Sequence, residues 1–290
     1  VTYIDVRIDV CTDVCTDVRS DVRSDVCTDV RSDVRIDGQG APTGVPVRGD
    51  RTAHPAGAPR KRMMPMISQM VTVPADGVVL TGDLVVPTPA RAVVLFAHGS
   101  GSSRLSPRNR MVAAELRTGG FGTLLMDLLS EQEEPRDTLT AEYRFDIPLL
   151  GRRLVAAIDW LEVQPETRGL QVVLFGASTG AAAALVAAAE RNHRVLTVIS
   201  RGGRPDLAHD ALSRVRTPVL LIVGGRDPEV LRLNQVAARQ LWAPHSLRVV
   251  PGATHLFEEP GALEQVAATA KEWCDERLKA LRHAAEERRW

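Results

Sequence analysis

QVVLFGASTGAAAALVAAA, residues 171–189, joins an apolar β-favouring run to an alanine-rich run through Gly176-Ala177-Ser178-Thr179-Gly180. The stretch approaches membrane-span length. Its interruption by Gly, Ser and Thr, and the change of composition across that turn, point instead to a buried strand, a sharp turn and a helix. Gly-x-Ser-x-Gly is a weak signal alone, since both residue types are common. Between a strand and a helix it reads as a nucleophile elbow, a turn so tight that glycines are needed where neighbouring backbone crowds it. The turn lifts the Ser178 hydroxyl to a helix start, whose amides favour developing negative charge. The competing reading, a serine that merely caps the helix, leaves the preceding strand unexplained.

Working outward, the same alternation recurs. Upstream, VTVPADGVVLTGDLVVP (71–87) reads as a β-hairpin turning at Asp76-Gly77, the strongest short hairpin signal. The apolar run 92–97 ends in His98-Gly99-Ser100-Gly101, followed by a helix over 107–117, a strand over 121–128, an acidic loop over 130–142 and a helix over 147–163. Downstream, strands are expected at 195–200, 218–223 and 247–250, with helices near 229–241 and 260–281. Short continuous apolar strands separated by helices predict a mostly parallel central sheet covered by helices on both faces. Ligands in such sheets bind beyond the carboxyl ends of the strands. His98, Ser178, Arg201, Asp227 and His255 all fall just past predicted strand ends.

A serine hydroxyl needs a base, and the base an orienting acid. His255 follows the last strand by a short Pro-Gly-Ala-Thr loop, whereas His193, His209, His245 and His283 fall on helices or at the opposite strand end. Asp227 directly follows the preceding strand and is preferred as acid over Asp206, Asp210 and Glu229. The oxyanion hole should combine the Thr179 amide with an amide from Gly99 or Ser100. His98 and Arg201 are the candidate substrate-binding side chains, with His98 expected mainly to brace its loop. Arg104, Arg108, Arg110 and Arg204 could also meet a substrate anion, or pair with Glu131, Glu133 and Glu134.

Basic and acidic side chains number 36 each, so no global charge draws the chain to nucleic acid or to an acidic membrane surface. The expected partner is a small acyl substrate, with no nucleic acid and no membrane. Cys11, Cys15 and Cys27 lie in an N-terminal repeat and Cys274 near the C-terminus, which gives no disulfide framework. The N-terminus alternates Asp and Arg with no apolar core, so no secretory signal is read and a cytoplasmic location is expected. The repeat, residues 1–37, carries an Asp at every fourth position and reads as a disordered tandem sequence rather than a metal tract. Residues 38–70 read as a Pro/Gly/Ala-rich linker, 71–282 as the catalytic domain and 283–290 as a charged tail. No metal-ligand cluster or dinucleotide fingerprint accompanies these residues, so no metal and no cofactor are expected.

Taken together, LFAHGSGSSRLSPRNR, FGASTGAAAAL, SRGGRPDLA and LLIVGGRDPEV…VPGATHLFEEPGALEQVA resemble the dienelactone-hydrolase-like branch of the α/β-hydrolases over about residues 71–281. The resemblance implies an α/β-hydrolase fold and an acyl-hydrolase activity on ester bonds. Dienelactone hydrolases proper use a cysteine nucleophile, whereas position 178 is Ser, which turns the expectation away from dienelactone itself. Similar domains occur behind a phosphoribosyltransferase domain, for which residues 1–62 are too short and irregular. Only residues 201–216 separate the strand after the elbow from the next, so no lid domain is expected. Thioesterase, lactonase or perhydrolase chemistry on the same triad, and a non-catalytic binding domain on the same fold, are the alternatives.

Overall fold

The computed structural model describes residues 65–287. The repeat 1–37 and residues 38–64 of the linker lie outside the described residues. Asp76 and Gly77 both take positive φ, 50° and 81°, so the first two strands, β1 (Met66–Ala75) and β2 (Val78–Pro87), close through the left-handed turn their Asp-Gly pair favours. β1 begins earlier than its sequence suggests. Met66 pairs with Pro87 and Met70 with Asp83, so residues 66–70 belong to the sheet and not to a linker. Exposure of Met66, Ile67 and Met70 on this edge strand blurs the alternation that would have revealed it.

The remaining strands are β3 (Val93–Ala97), β4 (Gly122–Met126), β5 (Val172–Ala177), β6 (Val195–Arg201), β7 (Val219–Gly224) and β8 (His245–Val250). They form one eight-stranded sheet in the order β1-β2-β4-β3-β5-β6-β7-β8. β1 and β2 run antiparallel to their neighbours, and β3 to β8 are mutually parallel. β3 is wholly buried, as a parallel strand covered on both faces must be. Val93, Leu95 and Ala97 face α3 (Ile147–Val163) and α4 (Thr179–Glu190), while Val94 and Phe96 face α1 (Pro107–Thr118) and α7 (Ala262–Glu287). Phe96 and Phe175 lock β3 to β5 on the second face, with ring centroids 4.9 Å apart.

The chain winds outward in opposite directions from β3, which lies between β4 and β5. That switch point opens a crevice at the carboxyl ends of β3 and β5. Two further expectations need correction. The acidic segment 130–142 contains a helix, α2 (Glu134–Thr140), pinned because Arg144 pairs with Asp137 and Arg153 with Glu133. The charged tail from 283 is the last part of α7 as far as Glu287. Between β6 and β7 lie only a 3-10 turn (Pro205–Ala208) and the one-turn α5 (Ala211–Arg214), followed after β7 by α6 (Pro228–Gln240). No helix among the described residues is long and apolar enough to cross a membrane.

Candidate active site

β5 delivers Ser178 with φ 50° and ψ −123°, a conformation L residues rarely adopt. Two glycines permit it. A Cβ on Gly176 would lie 2.4 Å from Ala181 Cα, and one on Gly180 would lie 2.3 Å from the Ala97 carbonyl oxygen of β3. The elbow is also held by hydrogen bonds to the last residue of β6 and to the segment that follows it. The Ser178 amide donates to the Arg201 carbonyl at 3.3 Å, and the Arg204 amide donates to the Ser178 carbonyl at 3.0 Å.

Asp227 ends the loop after β7 and caps α6, its carboxylate accepting from the Val230 amide. Its other oxygen lies 2.7 Å from Nδ1 of His255. The contact fixes the imidazole with Nδ1 protonated and Nε2 as the basic nitrogen. Asp206 is instead paired with Arg204, and Glu229 with Arg232. Gly202, at φ +50°, runs so close that a Cβ there would sit 3.0 Å from the His255 carbonyl. The end of β6 thus touches both the elbow and the histidine loop.

The loop after β3 lies against Ser178, since a Cβ on Gly99 would be 2.9 Å from Ser178 Cβ. The Ser100 amide donates to the Thr179 hydroxyl at 3.0 Å, so it is not a free oxyanion donor. This narrows the pair of candidates to Gly99. His98 is buried, with Nδ1 2.9 Å from the Gly99 carbonyl while Nε2 accepts from the Leu128 amide at 3.0 Å. Both ring nitrogens are therefore occupied, and His98 braces the loop with no nitrogen left for a substrate. Burial holds its pKa below the ordinary histidine value. Asp127, at the end of β4, grips the same loop farther along through the Arg104 amide and guanidinium. Sequence reasoning missed that role; a lone aspartate at a strand end was its only signal.

A cavity of about 460 Å³ opens beside the elbow, its lining including Gly99, Ser100, Thr179, Leu129, Asp137 and Thr138. It flanks Ser178 rather than enclosing it. Among the arginines singled out, Arg104 pairs with Asp127, Arg110 with Asp83 and Arg108 with Glu258, none with Glu131, Glu133 or Glu134. Arg201 is different: it is buried and has no carboxylate partner among the described residues. Among the described residues no group of His, Cys, Asp and Glu is arranged to hold a metal ion.

Comparison with known proteins agrees with this architecture. A crystal structure of dienelactone hydrolase from Anabaena variabilis is 55% identical, with a TM-score of 0.70, covering 72% of this chain and 96% of that one. A putative phosphoribosyl transferase of Mycobacterium tuberculosis is 56% identical over 209 residues, 72% of this chain but 46% of the relative. The chain therefore spans about half the length of that relative, whose name covers far more than the matched segment. A probable 2-oxo-3-(5-oxofuran-2-ylidene)propanoate lactonase of Bradyrhizobium is 28% identical over 198 residues, 62% of this chain and 76% of the relative. Residues 76–284 match the dienelactone hydrolase family, hydrolases acting on ester bonds, which is the class the motifs led us to expect. On that match, which takes in the elbow, the acid loop and the histidine loop alike, the chain belongs to the dienelactone hydrolase family.

Proposed function

We propose that this domain cleaves small acyl esters through a serine acyl-enzyme, with Ser178 as nucleophile, His255 as base and Asp227 as orienting acid. One observation carries the reading: a Ser178 forced into a rare backbone conformation shares its strand-end edge with a His255 whose Nδ1 lies 2.7 Å from Asp227. In this reading His255 Nε2 takes the hydroxyl proton as Ser178 Oγ attacks the ester carbonyl. The oxyanion accepts hydrogen bonds from the amides of Thr179 and Gly99, and the departing alcohol leaves with the proton His255 had taken. Water, deprotonated by the same imidazole, then cleaves the acyl-enzyme. Asp227 stabilises the imidazolium and stays ionised throughout.

The test is labelling by a fluorophosphonate probe together with hydrolysis of p-nitrophenyl acetate and butyrate. Ser178→Ala should lose both, with unchanged circular dichroism. Labelling that persists in the mutant would remove Ser178 as nucleophile. The absence of a lid between β6 and β7 favours short acyl chains, since a gain per methylene needs an apolar wall to bury it. A steady rise in kcat/KM from acetate to palmitate would defeat that argument. The Bradyrhizobium relative named as a lactonase is the observation that favours a cyclic ester, and a lactone panel tests it.

A further inference from the structure

Among the buried residues of α3, Arg153 alone is polar, and it is only 1% exposed. Burying a guanidinium opposes folding, and an apolar side chain of similar volume would pack there more readily. The charge instead holds one turn of chain. Nη1 donates to the Leu128 carbonyl at 2.6 Å, and Nη2 donates to Glu133 at 2.5 Å. The second Glu133 oxygen accepts from the amide and the hydroxyl of Ser130, at 2.8 and 3.0 Å. Burial acts to raise the Glu133 pKa, but the bonds from Arg153 and Ser130 outweigh it and hold the group below its ordinary value. The pair is therefore ionised at neutral pH, and it fixes residues 128–133 just beyond β4. Leu128 passes the constraint on. Its carbonyl is held by Arg153, and its amide donates to His98 Nε2 at 3.0 Å. An accepting Nε2 leaves the ring proton on Nδ1, which donates to the Gly99 carbonyl at 2.9 Å. That carbonyl belongs to the same peptide as the Ser100 amide, which donates to the Thr179 hydroxyl. One peptide is thus clamped from both sides, next to the Gly99 amide, in a loop that lies against Ser178.

We propose that Arg153 is a positioning residue of the oxyanion hole, acting through Leu128 and His98 to set the Gly99 amide beside Ser178. This rests on the hydrolase reading above, in which that amide receives the developing negative charge. Without the Arg153 donors the Leu128 carbonyl and the Glu133 carboxylate lose their buried partner, so the 128–133 turn shifts to reach water. The Leu128 amide then leaves Nε2, the imidazole is free to turn or change tautomer, and the clamp on the Gly99–Ser100 peptide opens on one side. Binding of the intact ester needs none of these contacts. A misplaced donor is felt when charge develops on the carbonyl oxygen, so the effect falls on kcat rather than KM. A different use of the same anchor predicts the reverse. Residues 128–133 lead into α2, which lines the cavity through Glu134, Asp137 and Thr138. An Arg153 that served only this wall would alter KM and acyl preference.

The experiment compares wild type, Arg153→Met, His98→Gln and the double variant of the full chain on p-nitrophenyl acetate and butyrate. Arg153→Met should lower kcat about tenfold to a hundredfold with KM unchanged, the scale of a displaced oxyanion donor. Since both residues act on one peptide in series, the double variant should lose no more than the worse single variant. Losses that multiply, or a raised KM at unchanged kcat, would overturn the proposal. Should Arg153→Met fail to fold because Glu133 is left charged and unpaired, Arg153→Met/Glu133→Gln removes that charge and takes its place. A second measurement needs no turnover. In heteronuclear NMR spectra of the full chain labelled at histidine, the resonance that disappears in His98→Gln should show a protonated Nδ1 whose proton exchanges slowly. Exchange should speed about tenfold or more in the Arg153 variants, as local opening becomes easier. The same acceleration in a chain that hydrolyses neither ester would refute the hydrolase reading and keep the link from Arg153 to His98. Exchange unchanged by loss of Arg153 would overturn the proposal whatever the activity.

Discussion

Asp227 serves two partners at once, the imidazole of His255 and the first turn of α6. Asparagine caps helices as well as aspartate but cannot impose the same histidine tautomer. Asp227→Asn should therefore keep Tm near wild type while kcat falls by orders of magnitude, the corresponding exchange in a serine protease costing about 10⁴-fold. A worse loss from Asp206→Asn would transfer the role of acid. His98 gives a prediction in pH. Burial lowers its pKa in the folded chain, so as pH falls the unfolded chain takes up the proton first. Stability present above the ordinary histidine value is then lost as pH drops toward the folded one. Unfolding midpoints measured from about pH 7 to about pH 5 should fall more steeply in wild type than in His98→Gln. The strand-end positions of Ser178, Asp227 and His255 were legible in the sequence, because Ser178 directly follows an apolar run and the other two follow one by a short loop. Arg201 was legible as a position only. Its lack of a counter-charge depends on α1 lying across it, and no spacing along the chain reports that.

The elbow concentrates strain in one turn joining β5 to α4. Ser178→Gly relieves a conformation worth about 1–3 kcal/mol, partly offset by the greater freedom of glycine when unfolded. It should raise Tm while abolishing activity, and a fall in Tm would show that the turn is not strained. Gly180→Ala should do the reverse. Its methyl would collide with the β3 backbone, which cannot rotate away, and a large loss of soluble protein or of Tm is expected. Elements with an internal signal were read closely. The helix expected near 147–163 spans those residues, with Asp146 capping it and Pro148 in its first turn. α2 was hidden, since EQEEPRD has no apolar period and its anchors, Arg144 and Arg153, lie beyond its end. The start of β1 was hidden for a related reason: an edge strand can expose methionine and isoleucine and still pair along its whole length.

All buried apolar side chains among the described residues fall between Val73 and Leu278. The repeat and linker composition offers little to add to that core. Removing residues 1–62 should leave ester hydrolysis and Tm close to those of the full chain, and a loss of several degrees would give the segment a structural role. The sheet order has a further consequence, in time rather than space. β3, the strand that carries the Gly99 loop, has its sequence neighbour β4 on one side, but its other partner, β5, arrives only after α2 and α3 have been made. Ser178, Asp227 and His255 then depend on β5, β7 and β8 joining the sheet in parallel register. Such long-range pairing closes slowly. During refolding, helical signal should return well before esterase activity, and activity should recover only in the slowest phase.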